Sequence, residues 1–265
     1  MLDKYYFGKV DRISPEAPVP IVNIQKEESR LGGASNVANN IVSLGGHSLL
    51  CGVIGHDLFG KEIERISRHK NIDTFLLKTS SPTITKARII GGKQQIVRVD
   101  YEDKSELNAD NKKLFRDTIS RILPEYDILV ISDYGKGLIS EDLCRYLIKL
   151  AHKYDKKVII DPKGKNWEKY SGADIVTPNV KELSDIVGYT VPNTIEKAAR
   201  EAITNNHLTA LLVTRSDKGM SLIGPIPPIH IPTHSEEVFD VSGAGDTVVA
   251  TLGLCLAAGF EISEA

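Results

Sequence analysis

Four short apolar runs recur along the chain, and each one ends in a polar residue. They cover residues 128–133, 158–161, 175–179 and 211–214, and they close on Asp, Asp, Asn and Thr. Near-continuous apolar runs rich in β-branched residues are typical of strands that are buried on both faces of a parallel sheet. Ligands of open α/β sheets bind at the carboxyl ends of such strands. This pattern therefore predicts a fold class and the edge of the sheet where a site lies.

Amphipathic helical segments lie between these runs. Ser140 is placed to cap a helix that runs to Tyr154, with its apolar side chains on one face. Asn193, followed by Glu196 three residues later, predicts a capping box at the start of another helix. The alternation predicts an α/β fold, a three-layer α/β/α domain with a mainly parallel sheet and right-handed crossovers. We expect one domain over residues 1–265.

Two segments interrupt the alternation and predict a small β flap. They cover about residues 10–30 and 83–102, and the second contains the hairpin signal Gly91-Gly92 between two strand-like stretches. Charges occupy alternate positions in these stretches, which indicates one solvated face. The alternative is an exposed hairpin with no role in ligand binding.

The segment 240–246, DVSGAGD, immediately precedes an apolar run. Small residues such as Gly243, Ala244 and Gly245 let a backbone approach a ligand closely. The run predicts a buried helix whose free N-terminal amides form an anion site. A carboxylate placed there, Asp246, can accept a proton from an attacking hydroxyl. The alternative is that Asp246 only caps a core helix.

Two further polar motifs stand at predicted helix starts. Gly32 and Gly33 let backbone amides approach a polyol, and Asn36 can hydrogen-bond hydroxyls through both ends of its amide. The alternative for these residues is a plain strand-to-helix turn. Asn179 and Glu182, three apart in a first helical turn, can orient hydrated Mg²⁺ on ATP phosphates. The alternative for this pair is a helix cap with a capping box.

Taken in chain order, these motifs resemble the ribokinase-like sugar kinases, also called the phosphofructokinase-B family. The resemblance rests on Gly32-Gly33…Asn36, Gly55-x-Asp57-x-x-Gly60, Asn179-x-x-Glu182, Thr214…Gly219 and Asp240-x-x-Gly243-Ala244-Gly245-Asp246. Further segments resemble the subgroup of this family that acts on heptose 7-phosphate, namely RISPEAPVP at 12–20, DYGKG at 133–137, DPKG at 161–164 and TRSDKGM at 214–220.

The resemblance implies ATP-dependent phosphorylation of D-glycero-β-D-manno-heptose 7-phosphate at its C1 hydroxyl. The product would be the heptose 1,7-bisphosphate used for ADP-heptose and the lipopolysaccharide core. ATP and Mg²⁺ are the implied cofactors. Two alternatives stay open, which are kinase chemistry on another sugar or sugar phosphate and a catalytically inactive fragment that only binds sugar phosphate.

The resemblance also assigns roles to residues of the nucleotide side. Asp246 is expected to be the catalytic base, and the anion hole is expected to be formed by Gly243, Ala244 and Gly245. The residues expected to contact Mg·ATP are Lys163 at a phosphate, Asn179 and Glu182 at the metal (Glu182 through water), and Thr214 and Gly219 against the nucleotide.

A second set of residues is expected to bind the sugar phosphate. The sugar contacts implied by the resemblance are Asp3, Gly32, Gly33, Asn36 and Asp133. Arg88 and Arg98 on the flap are expected to contact the sugar's own phosphate, because a guanidinium fork binds phosphate with two hydrogen bonds.

Composition excludes several classes of partner. The 33 Lys and Arg balance the 35 Asp and Glu to a formal charge of −2, so we expect neither nucleic acid nor a membrane surface as a partner. The apolar stretch 247–260 is shorter than the roughly 20 residues of a membrane span. The three cysteines are far apart and form no disulfide pattern, which is typical of a reducing cytosol, and we expect a cytoplasmic protein.

Two expectations concern the surroundings of the domain. The family places a strand before the position of Met1 and helices after that of Ala265, and we expect both to be missing from this chain. Exposed strand edges of the flap seek cover, so we expect a homodimer through the flap.

Overall fold

The computed structural model describes residues 1–191, 195–233 and 243–265. The expected helix cap at Asn193 and the first part of the DVSGAGD segment lie outside the described residues. The chain divides into two compact units, Met1–Asp103 and Lys104–Ala265.

The first unit contains a four-stranded sheet and a separate parallel pair of strands. Strand β1 runs parallel to β5, while β1 with β2 and β5 with β6 are antiparallel, in the order β2-β1-β5-β6; strands β3 and β4 form the parallel pair. The elements are β1 (Leu2–Ile13), β2 (Pro20–Leu31), α1 (Ala34–Ser43), β3 (Leu49–Gly55), α2 (Leu58–His69), β4 (Asp73–Thr79), β5 (Thr85–Gly91) and β6 (Gln94–Tyr101).

The four-stranded sheet contains most of the residues that were predicted to form the flap. The hairpin between β5 and β6 turns at Gly91 and Gly92, and Gly92 has a φ of 63°, a conformation that glycine adopts without strain. Strand β1 was not predicted, because residues 2–13 mix charged, aromatic and small residues without a period of two. It pairs along both of its edges, and this pairing holds it extended.

The core of the first unit lies where one end of this sheet meets the helices. Leu2 and Leu31, which are register partners, are buried there with Ile54 and Ile63. The side of α2 that packs on this core contains the buried Ile63 and the partly buried Phe59. The helix is capped by the Asp57 carboxylate, which accepts a hydrogen bond from the Gly60 amide at 2.8 Å.

The second unit is built on one mixed sheet in the order β12-β11-β10-β9-β8-β7. Strands β7, β8, β9 and β10 are parallel, and β11 and β12 add to the β10 edge as antiparallel strands. The elements are α3 (Ala109–Ile122), β7 (Ile128–Ser132), α4 (Glu141–Lys153), β8 (Lys157–Asp161), β9 (Ile175–Val176), α5 (Val180–Val187), α6 (Glu196–Asn206), β10 (Ala210–Thr214), β11 (Met220–Ile223), β12 (Ile229–Ile231) and α7 (Ala244–Ala257), with 3₁₀ turns at Leu123–Glu125, Glu168–Tyr170 and Ser216–Lys218.

The α/β prediction is confirmed by the burial of the parallel strands. Val158, Ile159 and Ile160 of β8 have no exposed surface, as expected for a strand covered on both faces. Ser140 holds the N-cap position of α4 as predicted, but its hydroxyl bonds the Asp142 carboxylate at 2.7 Å and not a backbone amide. Within the described residues, no helix combines the length and the apolarity needed to cross a membrane.

Helix α7 packs closely on β7 and β8. A methyl group at Gly253 would lie 3.5 Å from Val130 Cγ2 and 3.7 Å from Ile159 Cδ1. Val130 and Ile159 are register partners, and side chains two residues further along a strand point to the same face. Ser132 and Asp161 therefore lie on the face of the sheet that α7 covers.

The close packing at Gly253 gives a stability prediction. Gly253→Ala should raise the free energy of unfolding by about 0.5–1 kcal/mol, because alanine restricts the unfolded chain and favours a helix interior. The added methyl group meets only ordinary van der Waals contacts. Urea denaturation of the two proteins measures the difference, and a loss of stability would show that α7 lies closer to the sheet than described.

Candidate active site

The carboxyl ends of the parallel strands form one continuous edge. Backbone bonds of 2.9 Å each link the Asp133 amide to the Asp161 carbonyl, the Thr177 amide to the Ile160 carbonyl and the Thr214 amide to the Pro178 carbonyl. The polar residues that follow the four predicted strands are therefore neighbours, as the sequence pattern predicts.

Helix α7 begins at this edge with exposed small residues. Gly243 is its N-cap and has a φ of 82°, and Ala244 and Gly245 follow as exposed residues of the first turn. Amides of a first helical turn have no partner within the helix, so they are available to an anion. Asp246 is the third residue of α7 and only 7% exposed. The interpretation of Asp246 as the N-cap is therefore wrong, since Gly243 holds that position.

The Asp246 carboxylate is oriented by a neighbouring loop. The Tyr134 hydroxyl donates a hydrogen bond to Asp246 Oδ1 at 3.3 Å. Tyr134 follows β7, so the loop after one parallel strand contacts the helix that covers that strand. Sequence analysis assigned no role to Tyr134, although it belongs to the DYGKG segment of the resemblance.

Asp161 is the site residue that sequence analysis left out. Burial, followed by the nearby Glu182 and Asp246 carboxylates, raises the pKa of Asp161 to about 7, and Lys163 opposes this shift. The end of β8, the start of α5 and the start of α7 thus bring three carboxylates together. The signal was present in the sequence, because Asp161 closes one of the four apolar runs.

Asn179 and Glu182 form the capping box that was the alternative interpretation of this pair. Asn179 Oδ1 accepts from the Glu182 amide at 2.9 Å, and Glu182 Oε2 accepts from the Asn179 amide at 3.1 Å. Glu182 Oε1 accepts from Lys163 Nζ at 3.0 Å. The box fixes the Glu182 carboxylate at the edge of the sheet, beside Lys163 as well as Asp161. The metal role of the pair stays a prediction.

Thr214 and Gly219 flank the loop after β10. Thr214 forms an isolated parallel bridge with Asn179, which places it next to the capping box. Gly219 has a φ of 78°, and any side chain there would collide with the Ile231 carbonyl oxygen. The glycine is thus required by the packing of β12, and contact of either residue with a nucleotide stays a prediction.

Asp133 is buried in a network of protein donors. Its side chain is 2% exposed. Oδ2 accepts from Lys169 Nζ at 2.5 Å and from the Tyr170 hydroxyl at 2.7 Å, and Oδ1 accepts from the Gly135 amide at 2.7 Å. Sequence analysis gave no role to Lys169 or Tyr170. The role of Asp133 as a sugar contact stays a prediction.

The residues predicted to bind the sugar in the first unit come together at the start of α1. A side chain at Gly32 would collide with the Asp3 carboxylate, so glycine is needed there for close approach. Gly33 is the N-cap of α1 with a φ of 58°, and Asn36 lies in the first helical turn. The strand-to-helix turn is present, with the Asp3 carboxylate against Gly32 and Asn36 in the first turn of α1.

The two arginines of the flap are already paired with carboxylates. Arg88 bonds Asp3 at 2.5 Å, and Arg98 bonds Asp100 through two contacts of 2.8 and 2.9 Å. Arg88 and Arg98 are register partners on β5 and β6, so they share a face of the sheet. Partial burial, with Arg98 and Arg88 nearby, lowers the pKa of Lys86 on the same face, while Asp3 opposes this. This face of the sheet therefore carries three cations, Lys86, Arg88 and Arg98, together with the carboxylates of Asp3 and Asp100.

The raised pKa of Asp161 gives a pH-dependent prediction. Between about pH 4 and 7, unfolding releases the proton that the folded state retains, so this group lowers the stability of the fold as pH rises. Asp161→Asn removes the titration. Without divalent cations, the variant should match the unsubstituted protein near pH 4 and exceed it by about 1–3 kcal/mol at pH 8.

Urea denaturation at both pH values in EDTA measures the two differences. An equal difference at pH 4 and pH 8 would contradict the raised pKa. The exposed Asp155→Asn exchange, at the opposite end of β8, is the matched control.

Comparisons with known proteins identify the family to which this chain belongs. The sequence model of the pfkB family carbohydrate kinases matches residues 5–265. The chain is 45% identical over 267 residues to the bifunctional protein HldE of Haemophilus influenzae strain PittEE, covering all of this chain and 55% of HldE. It is 43% identical over 267 residues to the D-beta-D-heptose 7-phosphate kinase of Bordetella bronchiseptica, covering all of this chain and 84% of that protein. The chain thus spans about half the length of HldE.

Similarity to solved structures of other proteins establishes the fold. The tetrameric inhibited form of phosphofructokinase-2 from Escherichia coli aligns with a TM-score of 0.82 at 22% identity, over 99% of this chain and 86% of the other. Arabidopsis thaliana ribokinase complexed with ribose and ATP aligns with a TM-score of 0.73 at 20% identity, over 99% of this chain and 85% of the other. These likenesses establish a ribokinase-like fold. With the family match over nearly its whole length, the chain belongs to the pfkB family of carbohydrate kinases.

Proposed function

We propose that this chain phosphorylates D-glycero-β-D-manno-heptose 7-phosphate at its C1 hydroxyl with ATP. The observation that carries the proposal is the position of Asp246, a buried carboxylate in the first turn of α7, one residue after the exposed Ala244–Gly245 backbone. The choice of sugar is supported by the two relatives above, one of which is named a kinase of heptose 7-phosphate. The product would serve ADP-heptose and lipopolysaccharide core synthesis.

In this mechanism Asp246 takes the proton of the C1 hydroxyl as that oxygen attacks the terminal phosphorus of ATP. The Tyr134 hydroxyl donates to Asp246 Oδ1 and so orients the carboxylate for this role. The amides of Gly243, Ala244 and Gly245 form the anion hole, because they are free donors where charge develops on the transferred group.

The phosphates of the nucleotide, with their metal ion, would be bound by Lys163, Asn179 and Glu182. The carboxyl groups of Asp161, Glu182 and Asp246 lie near one another at this edge, and burial followed by the two neighbours raises the pKa of Asp161 to about 7. These carboxyl groups fit Mg²⁺, which prefers oxygen ligands and retains several of its waters. When bound with ATP, the ion would offset charge on the phosphates. Glu182 would hold its waters, and Lys163 would contact a phosphate.

The remaining expected contacts divide between nucleotide and sugar. Thr214 and Gly219 would lie against the nucleotide, at the end of the sheet edge. The hydroxyls of the sugar would be bound by Asp3, Gly32, Gly33, Asn36 and Asp133. Arg88 and Arg98 share a face of the flap sheet, and they suit the 7-phosphate because a guanidinium fork binds phosphate with two hydrogen bonds.

Replacement of the base tests the proposed reaction. Asp246→Asn should lower kcat by at least about a thousandfold with little change in sugar-phosphate affinity, because it removes the proton acceptor and keeps the shape of the side chain. ADP release with Mg·ATP and D-glycero-D-manno-heptose 7-phosphate measures kcat. Asp155→Asn, an exposed exchange of the same type, should leave kcat unchanged.

Two results would contradict parts of the proposal. Near-normal turnover by Asp246→Asn would remove Asp246 as the base. A panel of fructose phosphates, ribose and nucleosides tests the substrate, and faster turnover of any of these would reassign the sugar. No turnover of any panel member by a folded sample would favour a chain that only binds sugar phosphate.

We further propose a cytoplasmic homodimer that forms through the flap sheet. Val97 and Val99 on β6 are 45% and 40% exposed, and both belong to the face opposite the paired arginines. Ile89, the register partner of Val97, extends this apolar surface onto β5. Strands β2 and β6 also leave free edges in the sheet, and such edges are commonly covered by a second chain.

Sedimentation velocity at micromolar concentration tests the dimer. The unsubstituted protein should sediment at about twice 29.1 kDa, and the Val97→Lys, Val99→Lys double variant should sediment as a monomer, because two charges cannot be buried unpaired. Leu58→Lys, which changes an exposed apolar residue outside the flap, is the control and should remain a dimer. A monomeric unsubstituted protein would contradict the proposal.

A further inference from the structure

The 3₁₀ turn Glu168–Tyr170 lies beneath the candidate site, and neither the resemblance nor the comparisons give it a role. We propose that Lys169 and Tyr170 are positioning residues that act through Asp133 to hold two loops of the site in place. The loops are 133–137, which carries Tyr134, and 161–164, which carries Lys163. The kinetic part of the inference rests on the proposed function.

The Tyr170 hydroxyl joins the two loops directly. It lies 2.7 Å from Asp133 Oδ2 and 3.3 Å from the Lys163 carbonyl oxygen, and it accepts a hydrogen bond from the Lys163 amide at 3.0 Å. A hydroxyl has one proton to donate, and the shorter distance and the negative charge assign it to Asp133. Tyr170 therefore bonds both loops at once, as donor to one and as acceptor from the other.

Burial keeps Tyr170 in this donor state. Its side chain has no exposed surface, and burial, with Asp133 beside it, raises the pKa of the phenol far above its ordinary value. The hydroxyl thus stays protonated at any pH at which the protein is folded.

Lys169 balances the negative charge of Asp133, the carboxylate that accepts the hydrogen bond from Tyr170. The side chains of Lys169 and Asp133 are 13% and 2% exposed, and their atoms are 2.5 Å apart. A buried carboxylate that loses such a partner is strongly destabilised. The ammonium also lies 5.0 Å from the centre of the Tyr170 ring, so it packs on the same aromatic group that bonds Asp133.

The 161–164 loop receives a second support from the same turn. Trp167, also fully buried, donates from Nε1 to the Gly164 carbonyl at 3.2 Å. Gly164 has a φ of 81°, so this end of the loop has a conformation that needs glycine. From the loop, Lys163 reaches Glu182 at 3.0 Å, and the link therefore extends to α5.

The 133–137 loop connects the same network to the catalytic base. Asp133 Oδ1 accepts from the Gly135 amide at 2.7 Å, which fixes the backbone on both sides of Tyr134. Tyr134 then donates to Asp246 at 3.3 Å. Asp133 therefore lies between a turn outside the site and the residue that orients the base.

The decisive variant is Tyr170→Phe, which removes only the hydroxyl. Tyr189→Phe is the matched control, since the Tyr189 hydroxyl bonds the exposed Glu201 at 3.0 Å, away from the network. Tyr170→Phe should lower kcat about 10- to 100-fold while the KM for the sugar phosphate changes less than about twofold. Calorimetry should show Mg·ADP binding weakened about 3- to 10-fold, the equivalent of one hydrogen bond. Tyr189→Phe should change none of these values.

A double-mutant cycle separates positioning from a general loss of stability. If Tyr170 acts through the Asp133 loop, the effects of Tyr170→Phe and Tyr134→Phe on kcat are not additive. Additive effects, or a Tyr170→Phe protein that matches Tyr189→Phe in kcat and in Mg·ADP affinity, would overturn the inference. If Tyr170→Phe does not fold, Lys169→Arg replaces it, with the same loss of kcat expected and an unchanged kcat overturning the inference.

The two readouts distinguish failure of this inference from failure of the proposed function. If the unsubstituted protein does not turn over heptose 7-phosphate but Tyr170→Phe still weakens Mg·ADP binding, the sugar is wrong and the positioning role stands. If the unsubstituted protein turns over this substrate and Tyr170→Phe leaves both kcat and Mg·ADP affinity unchanged, the function stands and the positioning role is wrong.

Discussion

The packing of helix α7 against strands β7 and β8 determines where the chemistry of this protein is located. Gly253 lies over Val130 and Ile159, and apolar side chains of the helix are buried against the sheet. A helix held along these strands must begin at their carboxyl ends. Its free amides and Asp246 are thereby placed beside Asp161, because that residue ends β8 on the face that α7 covers. Core packing, more than any local feature of the loop, sets the position of Asp246.

At this edge, carboxyl groups on the two faces of the sheet have opposite kinds of neighbours. Asp133 points away from α7 and receives a lysine and a tyrosine, so its charge is balanced inside the protein. Asp161 points towards α7 and meets two further carboxylates, with Lys163 as the opposing cation. The charge of Asp133 is balanced by protein donors, whereas burial and two neighbouring carboxylates raise the pKa of Asp161. Perturbed carboxyl groups of this kind cluster at functional sites.

Much of this arrangement follows from local sequence. The runs at 128–133 and 211–214 predict their strands because burial on both faces demands apolar residues at nearly every position. Asp246 is predicted at a helix start because small residues precede it and an apolar run follows. Strand β1 is different, since its residues have no period of two and become extended through pairing with β2 and β5. No window of sequence contains that information.

The network around Asp133 was also beyond prediction, for a related reason. Lys169 is 36 residues from Asp133 in the chain, and a lone Lys-Tyr pair in a polar stretch is typical of a solvated loop. Only the turn at 168–170 brings the pair beneath the strand ends. Asp133 itself closes a predicted strand, which marks the edge of the sheet but not the face to which the side chain points. A shift of one residue along a strand reverses that face, so the end of a strand alone does not predict the neighbours of the side chain.

The partners of charged residues in the flap were likewise not predictable from the sequence. Alternating charges predicted one solvated face, and the register places Arg88 beside Arg98 on it. The sequence did not reveal that each arginine already has a carboxylate partner. The Arg98 pair is the more exposed of the two, with side chains 48% and 28% accessible against 20% and 17% for Arg88 and Asp3. An exposed pair contributes little stability, so a phosphate can displace Asp100 from Arg98 at small cost. The Arg88–Asp3 pair is the more buried of the two and is held more firmly.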